Sequence, residues 1–112
     1  MPRKSKDYFA DLVDCIVSQQ LSTKAATTIY SRIEKLCGKI TPRKILSTHH
    51  LALRSCGLSN AKVTYVKDLA LKSTDGTLQL NKLDDMSDEE VIEHLVVVKG
   101  IGRWSAEMIL MF

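Results

Sequence analysis

Phe9, Leu12, Val13, Ile16 and Val17 recur at i, i+3, i+4, i+7 and i+8, the spacing that gathers side chains on one face of a helix. The same period returns along nearly the whole chain and narrows the possible folds more than any other feature. Ser22 is placed to cap a second helix with the stripe Ala25, Ala26, Ile29, Tyr30, Ile33 and Leu36, which Gly38 ends just past its last turn. Thr41-Pro42 reads as an N-cap with proline at the first helical position, starting a short helix to about Leu46. Ser47 or Thr48 starts another that ends near Gly57, and Ser59 caps a longer one carrying Val63, Val66, Leu69 and Ala70 and closing around Asp75-Gly76. The stretch from Thr77 to Met86 reads as a loop. Ser87-Asp88-Glu89-Glu90 has the S-x-x-E form of a capping box, ahead of a helix from Asp88 to about Val97 with Val91, Ile92, Leu95 and Val96. No stretch predicts a strand, and no repeat or low-complexity tract interrupts the pattern. The expectation is one all-α domain over residues 1–112, a compact bundle of about six or seven short helices.

Composition supports a packed domain: 45% of the 112 residues are apolar, enough for a core. The longest apolar runs, Leu95 to Val98 and Met108 to Phe112, are far too short for a signal peptide or a membrane span, so no membrane partner is expected. The expected setting is intracellular. Cys15, Cys37 and Cys56 are odd in number and widely spaced, which points to thiols in a core rather than a zinc site or disulfide framework. His49, His50 and His94 lack ligand-spaced partners and read as surface or helix-end residues. Residues 1–74 hold 13 lysines and arginines against 5 acidic residues, whereas residues 75–112 hold 3 against 8. A basic stretch of this kind could face nucleic acid or simply be a solvated surface.

Chemistry concentrates in Lys99-Gly100-Ile101-Gly102, which joins the helix from Asp88 to another beginning near Arg103. Two glycines one residue apart permit positive φ and let another backbone come close. Amide groups in such a turn, followed by a free helix N-terminus, form an anion site, with Lys99 and Arg103 adding positive charge. Ile101 would anchor the turn between the two helices. A DNA phosphate suits this arrangement, because the turn can grip a backbone without reading a base.

The flanking pattern L-x-x-V-K-G-I-G-R-W-S-A resembles the helix-hairpin-helix of DNA repair enzymes. With it, "IVSQQLSTKAATTIYSRI" (Ile16 to Ile33) and "LRSCGLSNAKVTYVKDLA" (Leu53 to Ala70) resemble, in order and spacing, the DNA-3-methyladenine glycosylase II type, the alkylation-repair branch of that superfamily. The resemblance implies a base excision repair enzyme that flips an alkylated purine (3-methyladenine, 7-methylguanine) out of double-stranded DNA and hydrolyses its N-glycosidic bond. It implies no required cofactor. Trp104 stands where bifunctional relatives carry a Schiff-base lysine, so a monofunctional glycosylase is implied. An indole face attracts a cationic alkylated base by roughly 0.5–2 kcal/mol, and Met108 lies one turn further along the same face of the base pocket.

By the same resemblance, the Gln19-Gln20-Leu21-Ser22 junction supplies the wedge that fills the gap left by the flipped base, through Gln20 or Leu21. Lys62 supports a phosphate contact beside Lys99, Gly100, Ile101, Gly102 and Arg103. The backbone carbonyls of Val96, Val98 and Ile101 hold a monovalent cation, Na⁺ or K⁺. A methyl group on Gly100 or Gly102 is expected both to strain the turn and to block the approach of DNA. The family's catalytic aspartate lies about twenty residues past the position of Trp104, beyond Phe112, and Asp84, Asp85 and Asp88 stand in the wrong segment to replace it. The expectation is therefore a truncated helical domain, inactive by itself, whose missing partner is a C-terminal segment of its own chain. Its setting would be bacterial cytoplasm or eukaryotic nucleus. The alternative is a non-catalytic helix-hairpin-helix DNA-binding module.

Overall fold

The computed structural model describes residues 7–102, and within them every regular element is helical. Helix α1 (Tyr8–Ser18) is capped by Asp7, whose carboxylate accepts from the Ala10 amide, and it buries Tyr8, Phe9, Leu12, Val13, Ile16 and Val17. Helix α2 (Thr23–Cys37) starts on the Ser22 hydroxyl and ends at Gly38, which has a φ of 80°. Its stripe departs from expectation at the last turn: Leu36 is 45% exposed, and Cys37 is buried in its stead. Cys37 follows the buried Ile33 at i+4 and Ala26 at i+11, so the buried line of a 3.6-residue helix passes through it.

Helix α3 (Pro42–Ser47) is capped by Thr41, and α4 (His50–Ser55) by the His49 ring, which accepts from the Leu51 amide at 3.1 Å. Neither Ser47 nor Thr48 caps α4 as expected. Both hydroxyls point backwards and donate to the Lys44 carbonyl, closing α3 instead. Helix α5 (Asn60–Asp75) runs from the Ser59 cap to Gly76. The stretch expected as a loop contains a 3-10 helix over Leu80–Asp85, pinned by the buried Leu78 and Leu83. Helix α6 (Asp88–Leu95) has the reciprocal capping box of Ser87 and Glu90 and ends two residues short of the expected Val97.

Helix α5 is the central element, packing against α1, α3 and α4, while α1 also lies on α2. Val63, Val66, Leu69 and Ala70 of α5 are wholly buried, as are Leu12, Ile16, Ile33, Ile45 and Leu53 around them. Lys67 of α5 ties down α3 by donating to the carbonyls of Leu46 and Thr48, two of the acceptors a helix end leaves unpaired. Cys37 and Cys56 are buried and Cys15 is half-buried, all three as free thiols. Burial, then Asp14 and Asp11, push the Cys15 thiol up to about 11, so it is a poor nucleophile at neutral pH. Among the described residues no helix is long and apolar enough to cross a membrane.

Candidate nucleic-acid interface

One side of α5 builds the site. Lys62, Tyr65, Asp68 and Lys72 follow one another at three- and four-residue steps, so they share a half-buried face that borders the buried Val63–Val66–Ala70 stripe. Each reaches a different part of the site.

Lys62 reaches the corner between α1 and α2. Its ammonium donates to the carbonyls of Val17 at 2.9 Å and Gln19 at 2.6 Å, closing the end of α1 where the helix dipole is negative. Partial burial pulls Lys62 below the ordinary lysine range. Two of its three donors are thus held inside the protein, and only the third is left for the expected phosphate contact. Held this way, the corner turns sharply: Gln20 has a φ of 61°, the sole positive φ outside glycine among the described residues. Gln20 and Leu21 project as exposed side chains, Leu21 at 40%. Gln19, Gln20, Leu21, Gly57, Ser59 and Lys62 line one recess, which brings the first and second sequence motifs together.

Tyr65 and Asp68 support the hairpin. After α6 the chain makes successive tight turns, Val98 N–H to Leu95 O and Ile101 N–H to Val98 O, both 3.1 Å. Val98 and Ile101 are buried; the second of the two helices expected to flank Ile101 lies outside the described residues. Gly100 has a φ of 84° and lies flat on Tyr65; a Cβ there would stand 2.4 Å from ring carbons Cγ and Cδ2. Gly102 differs. Its φ is not positive, it is exposed, and among the described residues nothing lies within 4 Å of where its Cβ would be. The expected strain therefore belongs to Gly100 alone, while the space beside Gly102 is open among the described residues.

Asp68 Oδ2 accepts from the Lys99 amide at 2.9 Å, and its carboxylate also pairs with Lys72 at 2.6 Å. Partial burial pushes this carboxyl up, but the Lys72 and Lys99 hydrogen bonds and charges outweigh it and hold it below the ordinary aspartate range. A depressed folded-state value means that the stabilisation is present at neutral pH and is lost as pH falls through that value. Asp68→Asn is expected to cost about 1 kcal/mol at pH 7 and progressively less as pH falls below the ordinary aspartate range, read as converging melting curves of the two proteins. Parallel curves at every pH would remove Asp68 from this role.

The corner and the hairpin meet through Gln19, whose Nε2 donates to the Gly100 carbonyl at 2.7 Å across 81 residues of sequence. Gln19, Tyr65 and Asp68 escaped the sequence reading as site residues. The three-residue step of Tyr65 and Asp68 from Lys62 was the available signal for two of them; Gln19 offered none beyond its neighbour. Lys99 is exposed beside the turn, and Val96, at 40% exposure, lies just past α6. Arg103, Trp104 and Met108 lie outside the described residues. The three histidines sit at helix ends: His49 caps α4, His50 meets Asn60 at the start of α5, and His94 accepts from the Gln79 amide.

A bundle carrying a hairpin of this shape beside an exposed corner is what one repair superfamily is built on. Residues 13–109 match the HhH-GPD superfamily base excision DNA repair protein, and the chain belongs to that superfamily. Within it, DNA-3-methyladenine glycosylase 1 of Schizosaccharomyces pombe is 34% identical over 113 residues, 97% of this chain and 50% of that protein. DNA-3-methyladenine glycosylase of Saccharomyces cerevisiae is 41% identical over 120 residues, 98% of this chain and 40% of the other. The solved structure of the Schizosaccharomyces pombe 3-methyladenine DNA glycosylase in complex with abasic DNA matches with a TM-score of 0.90 at 35% identity, over 99% of this chain and 55% of that one. The chain thus spans about half the length, or less, of these relatives.

Proposed function

We propose that the chain is the helix-hairpin-helix part of a monofunctional DNA glycosylase that removes alkylated purines, 3-methyladenine and 7-methylguanine among them, from double-stranded DNA. The hairpin from Lys99 to Gly102, with Arg103, grips a phosphate through backbone amides and positive charge. Gln20, with Leu21 beside it, fills the space vacated by the flipped nucleotide, and Trp104 and Met108 receive the base. The carbonyls of Val96, Val98 and Ile101, hard oxygen donors following the end of α6, suit Na⁺ or K⁺, which would bring positive charge beside the phosphate. The protein would act where genomic DNA lies, in bacterial cytoplasm or a eukaryotic nucleus.

The observation that carries this reading is Gln20. A non-glycine residue held at a φ of 61° costs of order 1 kcal/mol, and the strain persists only where the surroundings over-determine it. Glycine would relieve the strain but would remove the side chain that the corner exposes. That trade makes sense for a residue whose side chain must stand out from the surface. The test is equilibrium binding to a duplex containing an abasic-site analogue and to its undamaged counterpart, over a salt series. A preference of about tenfold for the abasic duplex is expected, with affinity for both falling linearly in log–log against salt. Gln20→Gly should raise the melting temperature while reducing that preference. Equal affinity for the two duplexes would sink the reading.

A further inference from the structure

In the proposed function two surfaces must act on one duplex at a fixed spacing: the exposed corner enters the gap while the hairpin holds a phosphate. Each surface has its own support. Lys62 closes the corner from below through the Val17 and Gln19 carbonyls. Asp68 holds the hairpin by the Lys99 amide, and the buried Ile101 anchors it. Both supports stand on α5, which sets the coarse spacing, but neither joins corner to hairpin directly. Gln19 bridges the two, with its half-buried side chain donating to the Gly100 carbonyl at 2.7 Å. The left-handed turn at Gln20 makes consecutive side chains diverge, so that Gln19 goes inward to the hairpin and Gln20 outward to solvent. The acceptor is well chosen, because Gly100 is pressed against Tyr65 and its carbonyl has little room to drift.

We propose that Gln19 is a positioning residue that sets the register between the Gln20 plug and the phosphate-gripping hairpin, and that it gives preference for an opened DNA site rather than affinity for DNA in general. The proposal rests on the DNA reading given above. A neutral amide suits this role, because it donates to a carbonyl without placing a charge beside the DNA.

The experiment compares Gln19→Met, similar in length but without a donor, with Gln19→Glu, similar in shape but with an acceptor where the donor was. Binding is measured to the abasic-analogue duplex and to undamaged duplex. A 2-aminopurine placed opposite the abasic position reports insertion of the plug. Both variants are expected to lose about tenfold in affinity for the abasic duplex and to keep undamaged-duplex affinity within about threefold, with the fluorescence change diminished. Because Gln19 acts through Gln20, the double variant Gln19→Met/Gln20→Ala should bind the abasic duplex no more weakly than Gln20→Ala alone. Losses that add in the double variant would overturn the proposal, as would equal losses on both duplexes, the mark of a merely structural role. Unchanged binding by both variants would overturn it too. Failure of the DNA reading is distinguishable from all of these: the unaltered protein itself would then show no abasic preference, and the positioning role would fall with it.

Discussion

Gly100→Ala is expected to dislodge the hairpin and to lower the melting temperature by about 10 °C or more. Two costs combine. Alanine at a φ of 84° is strained whatever the space around it, and its methyl would stand 2.4 Å from Tyr65 Cγ and Cδ2 and 2.9 Å from Tyr65 Cβ. Those atoms are the root of the side chain and cannot swing aside as a flexible tip would. Backbone strain and overpacking each cost roughly 1–3 kcal/mol, a large part of a typical domain's stability. The displaced turn would lose its grip on a phosphate, so binding to every DNA sequence should weaken together. The Gly100 carbonyl would also leave the Gln19 bridge, so the preference for the abasic duplex should fall as well. Gly102→Ala is the informative contrast. Its methyl meets open space among the described residues, so stability should stay within about 0.5 kcal/mol of the unaltered protein. A loss of DNA affinity in Gly102→Ala would then come from blocked approach of a phosphate. A melting temperature for Gly100→Ala equal to that of the unaltered protein would show that Tyr65 does not seat the hairpin.

Leu69→Ala carries the second large effect. Leu69 is fully buried in α5, the helix that packs on α1, α3 and α4. Truncation leaves a cavity on the line that holds the bundle together, and such changes cost about 2–5 kcal/mol. Against a stability of about 5–15 kcal/mol, that could leave the protein folded only in the cold. The effect should reach the site, because Lys62, Tyr65 and Asp68 stand on the same helix and keep their places only while α5 keeps its seat. Leu71, two residues on, is 52% exposed, and Leu71→Ala should change stability by no more than about 0.5 kcal/mol. Urea unfolding of the pair checks this: the midpoints should separate widely at similar slopes. Midpoints that coincide would displace α5 from the centre of the fold.

Local chemistry made much of this architecture legible. The caps Ser22, Thr41, Ser59 and Ser87 act within three residues of themselves, so each helix start they mark could be read without knowing what it packs against. The buried faces of α1 and α5 followed from period alone, and the burial of Ile101 from its place within the turn. Where the sequence misled, a neighbour in space decided. Thr48 had two helices within reach and used its hydroxyl on the earlier one. The segment around Leu83 took up a 3-10 helix once that leucine was drawn into the core.

The site shows the same division. The sequence alone determined that a hairpin, a Gln-Gln-Leu corner and a Gly57–Lys62 junction exist, since each is a short motif with its own composition. Only the tertiary structure decided that Lys62 faces inward, that Gly100 and Gly102 play different parts, and that Gln19 joins corner to hairpin. These depend on partners between 43 and 81 residues apart for Lys62 and Gln19, and on Tyr65 beneath Gly100. A hydrogen bond or a close contact across such a distance leaves no period in the chain, because it is set by how helices seat on α5 rather than by the residues beside it.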